Sequence, residues 1–315
     1  MKLVFLTLLM VSLVISGCVV SQNSTVVRIG FQNTPASALV QIADEKGLFE
    51  KNGVHVKLEE FTAGKFALQA MLAGSVEMST PAEIPVMLAK MQGNELYVLS
   101  EIGENQNEAP MIVRADGNPT IQDFFSQKRK LSTSLGGTPE YATYQYLKHF
   151  NISRENVEII AQKPEEMVGA LSSSSVDAIV IFEPYPSLAE QTLTGTTRYE
   201  LPPGVYTTAY LLAANKTWVD QNPEQAKSIL KALKEAEDFA RENPVVAKEI
   251  VARRTKFSPE LINKIWSDFD LRARISDQLI QTWNEEARWA IDTNKVTSTV
   301  IPNFTTLLRP DLQQV

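Results

Sequence analysis

The chain has 315 residues, of which 44% are hydrophobic and 21% are charged, and its formal net charge at pH 7 is −7. This composition is ordinary for a soluble globular protein, and the length suits one large domain or two of moderate size. The negative charge argues against a nucleic-acid partner, because nucleic-acid binding favours a basic face.

The first residues have the layout of a secretory signal. Lys2 provides a short positive start, and the apolar run at positions 3–15 is too short for a comfortable membrane span. The residues ISGC at 15–18 resemble a lipoprotein signal, in which cleavage precedes a cysteine that carries lipid. We expect residues 1–17 to be removed, Cys18 to carry the lipid anchor, and residues 18–25 to form a tether. An ordinary signal peptide or an uncleaved anchor is the alternative.

After residue 25 the sequence alternates between strand and helix patterns. At positions 54–61, for example, Val54, Val56 and Leu58 alternate with polar residues, as in a half-buried strand. The predicted strands are 26–31, 54–61, 78–80, 96–100, 111–114, 130–134, 157–161 and 178–182. The predicted helices between them are 36–52, 66–73, 84–92, 121–125, 141–150 and 165–171. This alternation is typical of an α/β fold with mostly parallel sheets and flanking helices.

From Asn222 the pattern changes to long helices, predicted at 226–241, 245–254, 259–269 and 277–294. The strand and helix sets before this region fall into two groups with similar patterns, so two lobes are expected. We assign residues 26–113 and about 210–315 to the first lobe, and residues 114–209 to the second. The turn at 202–204, with the sequence PPG, would lie near a crossing between the lobes.

Five segments in order carry a family resemblance. They are IADEKGLFEKNGVHVKLEEF at 42–61, AMLAGSVEMSTPAEIPVMLA at 70–89, LGGTPEYATYQYLKHFNI at 135–152, ALSSSSVDAIVIFEPYPSLAE at 170–190 and AKSILKALKEAEDFARENPVVAKEIVA at 226–252. Together they resemble the nitrate/sulfonate/taurine-type solute-binding proteins of ABC importers. Three positions depart from the family pattern: Ser174 replaces a frequent Gly, Met78 an Ile or Val, and Phe182 a common Trp. The last change removes an indole donor and leaves the substrate open.

The resemblance implies a two-lobed periplasmic-binding-protein fold of type II, with the ligand in a cleft between the lobes. It implies a binding protein without catalytic activity. We also expect a monomer without a cofactor, located outside the cytoplasm and lipid-anchored to a membrane through Cys18. Its partners would be a small molecule, an ABC permease and the ATPase of that permease. The alternatives are a binder of aminopyrimidine thiamine precursors, a ligand-sensing receptor subunit, or an enzyme on the same fold.

Four loops that follow strands are the candidate lining of the cleft. In open parallel sheets, ligands bind beyond the carboxyl ends of the strands. The candidate ligand-binding residues on these loops are Gln32, Asn33, Thr34, Thr80, Pro81, Glu83, Gly136, Gly137, Thr138, Glu183 and Tyr185. Thr80 and Thr138 each precede a proline, an arrangement typical of helix N-caps. Helix N-termini would let an anion bind without Arg or Lys; plain caps and turns are the alternative reading.

Two acidic residues complicate a simple anion. Glu83 and Glu183 would flank the same cleft and would suit a ligand that carries amine or amide donors, such as a zwitterion or an aminopyrimidine. The alternative is that both are solvated charges at helix starts. Tyr185 would stack on a planar ligand, or else pack within its lobe.

Other chemistry has little support in the sequence. The chain contains no cluster of His, Cys and Asp residues, since its two histidines, His55 and His149, lie far apart in the sequence, so no metal site is expected. Nucleophile-elbow, P-loop and dinucleotide-binding motifs are also missing from the sequence.

Overall fold

A computed structural model of the protein describes residues 26–115, 117 and 119–313. The expected leader, the expected lipid site Cys18 and the tether lie outside these residues. Among the described residues, no helix has both the length and the apolar character that a membrane span requires.

The first sheet has six strands in the order β11-β4-β10-β3-β1-β2. Its strands are β1 Val27–Gln32, β2 Val56–Phe61, β3 Met78–Ser79, β4 Leu96–Asn105, β10 Thr208–Asn215 and β11 Phe269–Asp270. β1 runs parallel to both β2 and β3, whereas β10 runs antiparallel to β3 and β4. The carboxyl ends of β1, β2 and β3 therefore meet at one edge of this sheet.

The second sheet has five strands in the order β7-β6-β8-β5-β9. They are β5 Met111–Arg114, β6 Arg129–Thr133, β7 Val157–Ala161, β8 Ala178–Val180 and β9 Thr196–Tyr199. β6 is parallel to β7 and β8, and β5 is antiparallel to β8 and β9. The loops after β6 and β8 thus leave the sheet on the same side.

Helices cover both sheets. They are α1 Ala38–Glu45, α2 Leu48–Lys51, α3 Gly64–Leu72, α4 Glu83–Met91, α5 Ile121–Phe124, α6 Thr138–His149, α7 Pro164–Ser172, α8 Tyr185–Thr192, α9 Lys216–Gln221, α10 Pro223–Glu242, α11 Pro244–Thr255, α12 Pro259–Ile265 and α13 Leu279–Asp292. The core of the first lobe packs Ile29 and Leu212 against Leu39 and Leu233. We propose that the C-terminal helices belong to the first lobe, because residues of β1, β10, α1 and α10 share this core.

The two-lobed α/β fold is confirmed, but the expectation of mostly parallel sheets is wrong, because both sheets are mixed. The chain crosses to the second lobe after β4 and returns through β10, and each crossing adds an antiparallel strand. β5 pairs only within the second sheet, so the proposed boundary at residue 114 falls inside a strand of that sheet. We propose that the second lobe begins at Met111.

A buried ion pair ties the end of β4 to the C-terminal part of the chain. Glu101 is fully buried and accepts hydrogen bonds from Arg272 Nε at 2.8 Å and from Ser276 Oγ at 2.6 Å. The guanidinium group of Arg272 also contacts Glu104. Removing Arg272 would leave a buried carboxylate without its cation, which is far more costly than losing an exposed pair.

We expect Arg272→Met to lower the free energy of unfolding by roughly 3–5 kcal/mol. The control is Arg241→Met, which removes a 2.6 Å pair with Asp238 at a side chain that is 61% exposed, and should cost less than about 1 kcal/mol. Urea denaturation of both variants measures the difference. Equal losses in the two variants would show that burial of Glu101 does not determine the cost.

Candidate functional site

A cavity of about 30 Å³ lies between the two lobes, at the carboxyl ends of the strands. Its lining from the first lobe is Gln32, Ala63, Gly64, Lys65, Thr80, Ala82, Pro85, Glu108 and Tyr210, and from the second lobe Ser134, Gly137, Thr138, Pro139 and Phe182. A space of this size holds a water molecule or two. The lobes are therefore closed on each other, and a larger solute requires them to separate.

Gly64 allows helix α3 to begin against the end of β3. A Cβ atom at Gly64 would lie 2.9 Å from the carbonyl oxygen of Thr80 and 3.0 Å from Cα of Pro81, closer than side chains tolerate. The amide N–H of Gly64 donates to Gln32 Oε1 at 3.1 Å. The first turn of α3 is thereby fixed beside β1 and β3, and the next residue, Lys65, lines the cavity.

Lys65 connects the two lobes across the cleft. Its Nζ donates to Ser134 Oγ at 2.8 Å and to the carbonyl oxygen of Leu135 at 2.7 Å, both in the loop after β6. Burial lowers the pKa of Lys65, and the nearby carboxylate of Glu140 acts in the opposite direction. An ammonium group has three donors, so one remains for an acidic ligand.

Two buried donors at the cavity have no hydrogen-bond partner within the described residues: Gln32 Nε2 and Thr138 Oγ1. The orientation of the Gln32 amide is set by Gly64, whose N–H requires the oxygen, so the nitrogen is left free. An unsatisfied buried donor costs about 1–3 kcal/mol. A ligand with acceptor oxygens would recover this free energy on binding.

Glu108 supplies the acidic group of the cleft, from the segment that leads from β4 to β5. Its Oε2 accepts a hydrogen bond from the hydroxyl of Tyr210. Burial raises the pKa of the Glu108 carboxyl to about 8; the Tyr210 bond opposes this, and the charges of Glu83 and Glu183 add to it. Glu108 is therefore mainly protonated at neutral pH, and a cationic ligand group would favour its ionised form.

Four of the residues predicted from sequence line this cavity: Gln32, Thr80, Gly137 and Thr138. The two threonines are not N-caps, because Ala82 precedes α4 and Gly137 precedes α6. Instead, Thr80 Oγ1 lies 2.8 Å from Ser37 Oγ. Thr138 is the first residue of α6, and its hydroxyl is one of the two free donors.

Two further predicted residues, Thr34 and Glu183, line a smaller neighbouring cavity of about 10 Å³, which Glu108 also lines. The carboxylate of Glu183 accepts from Arg198 Nη1 at 3.0 Å and from the amide of Ser187 at 3.1 Å. This carboxylate is therefore neutralised by the protein itself.

The remaining predicted residues line neither cavity; they are Asn33, Pro81, Glu83, Gly136 and Tyr185. Asn33 and Pro81 bind backbone and side-chain groups of the first lobe, Gly136 donates to Glu140 at 2.7 Å, and Tyr185 packs edge-on against Phe182.

Glu83 is fully buried and lines neither cavity. It accepts hydrogen bonds from the hydroxyl of Tyr206 and, at 2.9 Å, from the amide of Ala209, both on the return crossing. Hydrogen bonds from protein donors thus offset the free-energy cost of burying the Glu83 carboxyl group.

Sequence reasoning missed Lys65, Glu108 and Tyr210. Lys65 could have been found, since β2 runs parallel to β1 and the loop after it must reach the same edge of the sheet. Glu108 and Tyr210 lie on the two crossings between the lobes, and neither position follows a parallel strand. Within the described residues, no group of three His, Cys, Asp or Glu side chains could hold a metal ion.

Glu83 and Glu286 form a buried carboxyl pair that affects stability rather than the cleft. Glu286 on α13 is fully buried, and its carboxyl group lies within hydrogen-bond reach of the carboxyl group of Glu83. Burial and the neighbouring Glu83 raise the pKa of Glu286 well above its ordinary value, and burial raises the pKa of Glu83 to about 7. The folded protein therefore holds protons that the unfolded chain releases at lower pH.

Because these pKa values are higher in the folded state, the stabilisation is complete below the ordinary pKa of Glu and is lost as the pH rises. We expect the free energy of unfolding to fall as the pH rises from the ordinary pKa of Glu, 4.5, through the folded pKa of Glu83, about 7, by up to about 1.4 kcal/mol per pH unit for each proton held. Glu286→Gln should flatten this slope in urea denaturation, and the exposed control Glu285→Gln should not. A slope that rises with pH would contradict this assignment.

The chain is similar in sequence to a binding protein and to a synthase. A proposed aliphatic sulfonates-binding protein of Bacillus subtilis is 25% identical over 287 residues, which are 86% of this chain and 82% of the relative. A 4-amino-5-hydroxymethyl-2-methylpyrimidine phosphate synthase of Saccharomyces cerevisiae is 22% identical over 251 residues, 75% of this chain and 72% of the relative.

Two solved structures share the fold. The alkanesulfonate-binding protein SsuA of Xanthomonas axonopodis pv. citri, bound to MOPS, superposes with a TM-score of 0.78 at 16% identity, over 90% of this chain and 98% of that protein. The periplasmic nitrate-binding protein NrtA of Synechocystis PCC 6803 gives 0.72 at 18% identity, over 92% and 87%. The model of the NMT1-like family matches residues 21–254. The chain therefore belongs to the NMT1-like family.

Proposed function

We propose that the protein is the solute-binding component of an ABC importer and captures a small acidic solute between its lobes. The observation that carries this proposal is the closed cleft, in which Lys65 and the free donors Gln32 Nε2 and Thr138 Oγ1 meet with Glu108. A relative and two structural neighbours are named for binding sulfonates or nitrate, which are anions that hydrogen-bond donors can hold.

Capture would proceed by closure of the lobes around the solute. Lys65 belongs to the first lobe, while its acceptors Ser134 and Leu135 belong to the second, so this contact exists only when the lobes are closed. A ligand that binds Lys65 and Thr138 together would contact both lobes. Such a ligand favours the closed state because it makes more contacts there than in the open state.

The charges in the cleft favour a zwitterion over a bare anion. Lys65 and the first turn of α6 suit a sulfonate or carboxylate group. Glu108 suits an ammonium group, whose charge would be balanced by the ionised carboxylate. A taurine-like aminosulfonate satisfies both ends, whereas nitrate satisfies only the first.

A second candidate is an aminopyrimidine. The similarity to the yeast pyrimidine phosphate synthase favours it, and Glu108 with Phe182 offers a carboxyl group and an aromatic face in the cavity lining. We propose binding rather than catalysis, because the relatives and the structural neighbours named for sulfonate and nitrate are binding proteins.

The proposal extends to the location of the protein, its lipid anchor, its oligomeric state and its partner. We place the protein outside the cytoplasm, lipid-anchored through Cys18, as a monomer that delivers its solute to an ABC permease. The sequence ISGC at 15–18 supports the anchor, and mass spectrometry of the protein isolated from membranes would test it. Loss of the first 17 residues with an added lipid mass on Cys18 is expected.

A thermal-shift screen tests the solute class. A ligand stabilises the state that binds it, by about 2.7 kcal/mol at a hundredfold excess over Kd. Taurine should raise the midpoint of unfolding most, because it offers groups to both Lys65 and Glu108. Ethanesulfonate should raise the midpoint less, and nitrate least. A shift with 4-amino-5-hydroxymethyl-2-methylpyrimidine alone would establish the second candidate. If none of these compounds shifts the midpoint, the proposed substrate class is wrong.

A further inference from the structure

A cavity much larger than the ligand cleft lies elsewhere in the described part of the protein. It is a groove of about 800 Å³, within the range of small-molecule sites, and it shares no lining residue with the 30 Å³ cavity. Tyr144 and Leu147 on helix α6 of the second lobe line the groove, and so does Trp289 on α13 of the first lobe. The groove therefore spans both lobes.

The surface of the groove combines aromatic and aliphatic side chains. The rings of Tyr144 and Trp289 lie 6.2 Å apart and are tilted by 49°. Leu135, one of a small set of exposed large apolar residues in the described chain, is 41% exposed and lines the groove with Ile159. Contiguous exposed apolar surface often marks a binding site for a ligand or a partner, whereas single exposed apolar side chains are common on any protein.

The charge at the groove is opposite to that of the whole chain. Lys148 and Arg154 line it, and neither forms an ion pair with a carboxylate in the described structure. Lys148 Nζ lies 5.9 Å from the centre of the Tyr144 ring, and Arg154 donates to a backbone carbonyl oxygen, that of Val157. The third cation, Lys295, is paired with Glu140. Two positive charges thus remain without a counter-charge beside an apolar surface, on a chain of net charge −7.

We propose that this groove is a second ligand site, which binds an organic anion with a planar aromatic body. The aromatic walls favour a rigid planar body over a flexible chain, because a planar body loses less conformational freedom on binding. The uncompensated cations favour a sulfonate or carboxylate at the rim.

The position of the groove couples it to the cleft. The side chain of Leu135 lines the groove, while its carbonyl oxygen accepts the hydrogen bond of Lys65 in the cleft. A molecule in the groove that contacts residues of both α6 and α13 touches both lobes and so stabilises their closed arrangement. This inference does not depend on the proposed solute, since the two sites have different linings.

Anilinonaphthalene sulfonate, a planar aromatic anion that fluoresces in apolar surroundings, is the probe. With the full-length protein we expect saturable binding of one dye per chain. Phenylnaphthylamine, which has the same rings without the sulfonate, should bind about tenfold more weakly. Equal affinity for the two dyes would overturn the requirement for an anion.

Substitutions in the groove test whether the dye binds there. Lys148→Glu reverses an exposed charge and should weaken the sulfonate dye about tenfold, and Tyr144→Ala should weaken both dyes. Lys128→Glu, a change at a lysine that is 68% exposed and does not line the groove, is the matched control and should bind as the parent protein does. Circular dichroism checks that each variant is folded. Unchanged affinity in folded Lys148→Glu and Tyr144→Ala would overturn the site.

Discussion

Lys65→Met is expected to weaken the binding of a sulfonate solute by about a hundredfold, because hydrogen bonds to charged groups contribute roughly 1.5–3 kcal/mol each. Lys65 is the cation in the cavity lining, and it also holds the two lobes together through Ser134 and Leu135. The variant keeps most of the apolar stem of the side chain, so the loss reports on the ammonium group. Calorimetric titration measures the affinity.

The control for Lys65 is Lys57→Met. Lys57 is a strand lysine with a side chain that is 66% exposed, and it pairs with Glu59 at 3.0 Å away from the cavity. Its removal should change affinity by less than about twofold. If the Lys65→Met protein binds the solute as tightly as the Lys57→Met protein does, Lys65 is not part of the site.

Glu108→Gln is expected to weaken the binding of a ligand that carries an amine more than the binding of one that lacks it. The amide cannot become the carboxylate that balances an ammonium group, so taurine should bind at least about tenfold more weakly. Ethanesulfonate, which lacks the amine, should change by less than about threefold. The measurement is the ratio of the two dissociation constants in the parent protein and in the variant.

Glu158→Gln is the matched control for Glu108→Gln, because the side chain of Glu158 is 44% exposed and lies outside the cavity. The ratio of the dissociation constants of taurine and ethanesulfonate should be the same in Glu158→Gln as in the parent protein. If Glu108→Gln weakens both solutes equally, Glu108 positions the cleft rather than selecting the amine, and the preference for a zwitterion has no support.

Much of the fold follows from the sequence because its strands and helices have clear periodicity. The strands at 111–114 and 157–161 were predicted with the bounds that the structure has. Helix α6 begins three residues before the predicted start, at Thr138, because Pro139 occupies the first turn, where a missing N–H has no cost.

The return crossing could not be predicted in the same way. β10 is buried on both faces, so Thr208–Asn215 shows no alternation of polar and apolar residues, and its place between β3 and β4 depends on contacts distant in sequence. The mixed character of the first sheet was missed for this reason.

The candidate site shows the same limit. Gln32, Thr80, Gly137 and Thr138 follow the ends of strands, so the rule for open sheets identified them. The two acids expected in the cleft are bound by protein donors instead, because Tyr206 and Arg198 come from segments that reach Glu83 and Glu183 only in the folded chain. The acid that does line the cavity, Glu108, lies on a crossing without a sequence signal.

A crystal structure of the protein with the solute that gives the largest thermal shift tests whether capture occurs between the lobes. We expect one solute there, with its acidic group within hydrogen-bond distance of Lys65 Nζ and Thr138 Oγ1, and its amine beside Glu108. A solute bound outside this cleft, or bound there without contact to Lys65, would contradict the proposed site.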